Sequence, residues 1–180
     1  MLVTFNDKYF ELTSCDSKRD LIEILNQCSE GNLLLGENDE QEENFFAIQV
    51  HSGKEDKKFG IGVVSEGYGL IPSILAIPTN SSLFIGFNSE FVIIDCGSKS
   101  IRYSTKLGSL FFQFIHFPQH KIVMVLHELG LLAISEEGKE IWEYDAHDII
   151  QDYQIEGNLI NLELMDNPSA RISILNGESA

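Results

Sequence analysis

Apolar and polar residues alternate along most of this chain, in short runs closed by glycine or polar turns, which is the pattern of half-buried strands. In LINLELM, Ile160, Leu162 and Leu164 point one way while Asn161 and Glu163 point the other. LVTF and YFELT stand either side of Asn6-Asp7-Lys8 and predict an opening hairpin. FFAIQVHSG and KKFGIGVVSE predict a second strand pair around Gly53. SLFFQFIHF is apolar almost throughout, so it predicts a strand covered on both faces near the centre of a sheet. One segment changes period: in SKRDLIEILNQCSEG, Leu21, Ile24, Leu25 and Cys28 follow i, i+3, i+4, i+7 spacing. Ser17 with Asp20 forms a capping pair at its start, and Gly31 is placed to end it. YGLIPSILAIPTNSS carries Pro72 and Pro78 inside an apolar run and reads as loop.

From residue 83 onward three stretches share one plan of apolar strand, polar turn, apolar strand and glycine turn. Their turn glycines, Gly97, Gly138 and Gly177, lie 41 and 39 residues apart, and Gly53 lies 44 before the first. A period near 40 with several strands per unit is a propeller-type repeat. LLAISEEGKEIWEYD resembles the hairpin of pyrroloquinoline-quinone and WD-type β-propeller repeats through Ala133, Gly138, Lys139, Trp142 and Tyr144. FVIIDCGSKSIRYS keeps the strand and the glycine without the tryptophan. The resemblance implies the hairpin rather than a quinone cofactor, since 180 residues hold at most about four blades. The expected fold is mainly β with one N-terminal helix: an antiparallel meander, partly propeller-like or a curved sheet or sandwich of the α+β class. One domain over 1–180 is expected, with the hairpin and helix in 1–36 and the repeats in 45–180.

Composition sharpens this picture. Apolar residues are 43% of the chain, which is ample for a packed core. Cys15, Cys28 and Cys96 are an odd set without a CxxC pair, as in a reducing compartment. MLVTFNDKYFELT lacks the basic and apolar regions of a signal peptide, and no run is long enough to span a bilayer, so a cytoplasmic protein is expected. The net charge of −16 is uneven: residues 136–180 carry 11 acids against 2 bases, and residues 91–135 carry 2 against 4. Such a field repels nucleic acid and anionic membranes and steers a basic protein towards the chain.

Motifs for chemistry are sparse. His116, His120 and His127-Glu128 invite a metal, but Pro118 sits inside the first spacing and bars a helical HxxxH face, so no metal is expected. Asp145 and Asp148 could serve a carboxylate-dependent hydrolase as acid and base, or Asp148 could cap a turn that opens a short helix. Cys96 lies beside a turn without a Cys-His signature, and the glycines of FGIGVVSEGYG miss the dinucleotide fingerprint. No cofactor is expected, and no enzyme.

The acidic residues themselves remain. After the Gly138 turn, Ile141, Glu143 and Asp145 share one strand face and Trp142 and Tyr144 the other, so the rings join the core and the carboxylates project outward. With Glu140, Asp148 and Asp152 they predict an acidic ridge, and Glu37, Asp39, Glu40, Glu42 and Glu43 predict a second acidic surface in a solvated loop. A short, acidic, β-rich chain with free thiols and no catalytic signature is similar to bacterial toxin immunity proteins of the contact-dependent growth inhibition type. That resemblance implies an inhibitor that occludes the cationic site of a basic toxin, a nuclease being the concrete target. The other classes are the hydrolase and a β-scaffold without a ligand.

Overall fold

The computed structural model describes residues 2–5, 8–36, 43–52, 57–66 and 71–180, apart from the side chains of 2–5 and 43. It is mainly β, with four sheets and one α-helix among the described residues. The chain groups into two compact units, Met1–Asn88 with Ile93–Arg102, and Ser89–Val92 with Tyr103–Ala180. No helix among the described residues is long and apolar enough to cross a membrane.

In the first unit β1 (Leu2–Phe5) and β2 (Lys8–Cys15) form the opening hairpin, with Phe5 opposite Lys8. Helix α1 (Lys18–Asn26) follows, capped by Ser17, whose hydroxyl accepts the Asp20 amide at 3.2 Å and donates to the Asp20 carboxylate at 2.7 Å. Leu21, Leu25 and, just beyond the helix, Cys28 are buried as their spacing requires. Gly31 does not end the helix, which stops at Asn26. Its left-handed conformation instead turns the chain into β3 (Asn32–Leu35), and its carbonyl accepts the Gly60 amide at 3.0 Å.

β4 (Glu43–Ser52) and β5 (Lys57–Glu66) complete a sheet of order β1-β2-β4-β5-β3, in which only the β3–β5 pairing is parallel. The glycines of FGIG seat the helix on it. A Cβ at either Gly60 or Gly62 would lie 2.9 Å from the Leu25 side chain of the helix. The turn at Gly53 lies outside the described residues.

The stretch read as loop contains β6 (Ser73–Ile77), antiparallel to β7 (Ser82–Phe87). Pro72 precedes the strand and Pro78 begins the 3-10 turn Pro78–Asn80, so neither removes a hydrogen bond from the ladder. β8 (Glu90–Asp95) and β9 (Ser100–Lys106) follow in a sheet of order β6-β7-β8-β9. Their turn is built by Asp95, which accepts the Gly97 and Ser98 amides at 2.8 and 3.0 Å and pairs with Arg102. The Ser98 amide, followed by Arg102, holds this carboxyl at about 2.

The second unit contains a sheet of order β10-β11-β12-β13, from β10 (Phe111–Phe117), β11 (Ile122–His127), β12 (Gly130–Ser135) and β13 (Glu140–Asp145). SLFFQFIHF is therefore an edge strand rather than a central one, and Phe112 is 41% exposed. Its apolar character is spent on an aromatic cluster, Phe91 to Phe114 at 6.0 Å edge-on and Phe114 to Phe111 at 4.7 Å. The strands covered on both faces are β11 and β12.

β14 (Ile150–Glu156), β15 (Leu159–Leu164) and β16 (Ala170–Ser173) form a further sheet, in which Ile160, Leu162 and Leu164 are buried as their alternation predicts. They meet Met124, Leu126, Leu131 and Ala133 in one core cluster. Full burial of each large aliphatic side chain there contributes about 1.5–3 kcal/mol. The other face of this sheet is polar, with Glu163 and Arg171 exposed. The period near 40 belongs to the sheets: Gly97 and Gly138 lie in the turns between third and fourth strands, and Gly177 follows β16 before the bridge from Ile172 to Ser179.

Candidate functional site at an acidic strand edge

β13 is an outer strand of its sheet, hydrogen-bonded to β12 on one side. Trp142 and Tyr144 pack on the core cluster and Glu143 and Asp145 are exposed, so the alternation follows the sequence pattern. The Trp142 indole donates to the Ile174 carbonyl at 3.1 Å, and its ring lies where a Cβ on Gly177 would come within 2.7 Å.

A register shift between Ala133 and Ile134 leaves Ile141 as a bulge, because Trp142 faces Ala133 and Glu140 faces Ile134. Simple alternation would place Glu140 with Trp142. The bulge places it with Glu143 and Asp145, which face Leu132 and Gly130. Ile141 is left 45% exposed.

Tyr103 lies beside two of these carboxylates, Glu140 and Glu143. Its hydroxyl donates to Glu140 Oε1 at 2.7 Å. Burial first, then this bond, and also the charge of Glu143, push the phenol above its ordinary range. Among the described residues no lysine or arginine pairs with Glu140, Glu143 or Asp145; Lys99 pairs with Glu30, Arg102 with Asp95 and Arg171 with Glu156.

The other residues of the predicted ridge lie on other elements, with partners of their own. Asp148 starts no helix, since the chain bends there and enters β14 at Ile150. Its carboxylate accepts the Asp166 amide at 2.8 Å, the Asn167 side-chain amide at 2.9 Å and the Ile149 amide at 2.8 Å. The Asp166 amide, ahead of Asn167, holds it below the usual carboxylate range, whereas a general acid requires the opposite. Asp148 thus clamps two loops. Asp152 lies on β14 in the neighbouring sheet and accepts the Tyr153 amide at 2.8 Å. Glu37, Asp39, Glu40 and Glu42 lie outside the described residues. Glu43 has its backbone in β4 opposite Glu66, with its side chain outside them.

The histidines considered for a metal have separate partners: His116 bonds Glu136 at 2.8 Å, His120 bonds Asn158 at 3.1 Å and His127 bonds Ser109 at 2.8 Å. Burial pushes the Cys96 thiol up to about 11, so it is not an activated nucleophile. Tyr103 and Ser109 were not anticipated from sequence. Their partners lie 37 and 18 residues away, and no local spacing signals them.

No protein-family model matches the chain, and no curated protein matches it either. Solved structures do resemble it. The hydrazine synthase of Kuenenia stuttgartiensis is 12% identical with a TM-score of 0.53, over 83% of this chain and 47% of that one. The dihydro-heme d1 dehydrogenase NirN is 10% identical with a TM-score of 0.54, over 77% and 34%. Sqt1 of Saccharomyces cerevisiae, a WD40 or β-propeller-like protein, is 9% identical with a TM-score of 0.52, over 79% and 45%. The chain spans less than half the length of these three chains, and at such identities the likeness is one of fold alone.

Proposed function

We propose that this chain is a cytoplasmic binding protein of the immunity or inhibitor type, which docks a basic partner on the β13 edge and occludes that partner's cationic site. The observation that carries this reading is the grouping of Glu140, Glu143 and Asp145 on one exposed strand face, without a lysine or arginine partner among the described residues. Holding like charges together costs stability that a cationic partner returns. Ile141, exposed at the bulge, supplies an apolar contact amid the charge. A toxin nuclease domain, cationic where it grips nucleic acid, is the partner class that this chemistry suits. The overall charge of −16 would speed the encounter.

The test uses a decalysine peptide as probe, with fluorescence anisotropy read across salt. Affinity is expected to fall about tenfold or more between about 50 and 300 mM salt. Binding that ignores salt, or no binding at low salt, overturns the reading.

A further inference from the structure

Phe111, His127, Gly130 and Asp145 are successive register partners across β10, β11, β12 and β13. Directly paired residues project to the same face of a sheet, so these four form one row. Gly130 contributes no side chain, and the His127 ring occupies the space above it. A Cβ there would lie 2.9 Å from both Cε1 and Nε2. The Cε1–Nε2 edge of the imidazole therefore lies over Gly130, and the backbone carbonyl of Tyr144 on β13, the neighbour of Asp145, borders the same space.

The ring is 3% exposed. Its Nδ1 lies 2.8 Å from the Ser109 hydroxyl, which also accepts the Leu129 amide at 2.9 Å. Nε2 is buried without a hydrogen-bond partner. A bare lone pair is cheaper to bury than an unpaired N–H, so the neutral ring carries its proton on Nδ1 and donates it to Ser109. Nε2 is then the atom that a second proton reaches.

We infer that His127 is a protonation switch for the acidic edge: a proton taken up at Nε2 makes this nitrogen a donor to Asp145 across the space left by Gly130, and withdraws that carboxylate from docking. The inference rests on the reading of β13 as the docking edge. The groups that face the ring are few. Phe111, Ser109 and Gly130 carry no charge, and on β13 the charged group is Asp145. Glu128 follows His127 in the turn to β12 and is not among the charges that act on the ring, and His147 is exposed on the bend after β13.

Burial lowers the tendency of His127 to protonate, and Asp145 opposes this. Because the folded value lies below the ordinary 6.5, the neutral ring contributes its stability in full above that pH. The contribution declines as pH falls from there towards the folded value.

The test is made on the full chain in a His147→Gln background, with decalysine as probe at pH 7.5 and 5.5. Affinity is expected to fall about two- to fivefold on acidification, and Asp145→Asn to abolish that fall. Histidine-labelled NMR reads the switch independently of docking. The His127 signal should show the Nδ1–H tautomer at neutral pH, and its titration midpoint should move down in Asp145→Asn, which is exposed and leaves the core intact. An unmoved midpoint, or an Nε2–H tautomer at neutral pH, overturns the switch. If the midpoint moves but decalysine does not bind at pH 7.5, the docking reading fails and the His127–Asp145 coupling stands.

Discussion

Replacing Glu140, Glu143 and Asp145 together by lysine should abolish decalysine binding at low salt, with a loss of about a hundredfold or more. An exposed ion pair contributes up to about 1 kcal/mol, and three such contacts become repulsions of the same order. The substituted side chains are exposed and lie outside the core, so the variant should keep its circular dichroism and its melting temperature within a few degrees. Asp152→Lys is the control for a single reversal, an exposed carboxylate on β14 in the neighbouring sheet. Its effect should stay below about threefold. An equal loss per reversed charge from the control and from the edge would mean that net charge, rather than the β13 edge, drives the association.

Trp142→Ala should be the most destabilising single change near this edge, costing about 2–4 kcal/mol. The indole packs on the core cluster, covers Gly177 and donates to the Ile174 carbonyl, so it holds β13 against the segment that follows β16. Its loss opens a cavity and leaves a carbonyl unpaired at once. Against a total stability of about 5–15 kcal/mol this is a large share, visible as a lower midpoint in urea. Trp142→Phe keeps most of the packing and loses the hydrogen bond, so it should cost about 1 kcal/mol. If both variants unfold at the wild-type midpoint, the ring is not the anchor described above.

Much of this arrangement was legible in the sequence because the signals were local. Ser17 and Asp20 lie three residues apart and cap the helix they predict. Trp142 and Tyr144 alternate with Glu143 and Asp145, so the two faces of β13 could be told apart before any coordinates. The failures share a different cause. β6 was hidden because Pro72 and Pro78 flank it closely enough to seem to interrupt it. β10 looked central because apolar content does not say whether a strand meets another strand or a cluster of rings. The carboxylates of Glu140 and Asp148 have their fates decided by Tyr103, Asp166 and Asn167, which are distant in the chain. The bulge at Ile141, which brings Glu140 onto the acidic face, is a property of the pairing with β12 rather than of β13 itself.

The central claim is that one strand edge, and not the acidic surface at large, receives a cationic partner. Amide chemical-shift mapping of the labelled chain with decalysine at low salt tests it most directly. The account predicts that the perturbed amides cluster over residues 140–145 and at Tyr103, and that those of β14 around Asp152 stay unmoved. Shifts spread evenly over the carboxylate-bearing loops and strands, or centred away from β13, would contradict it.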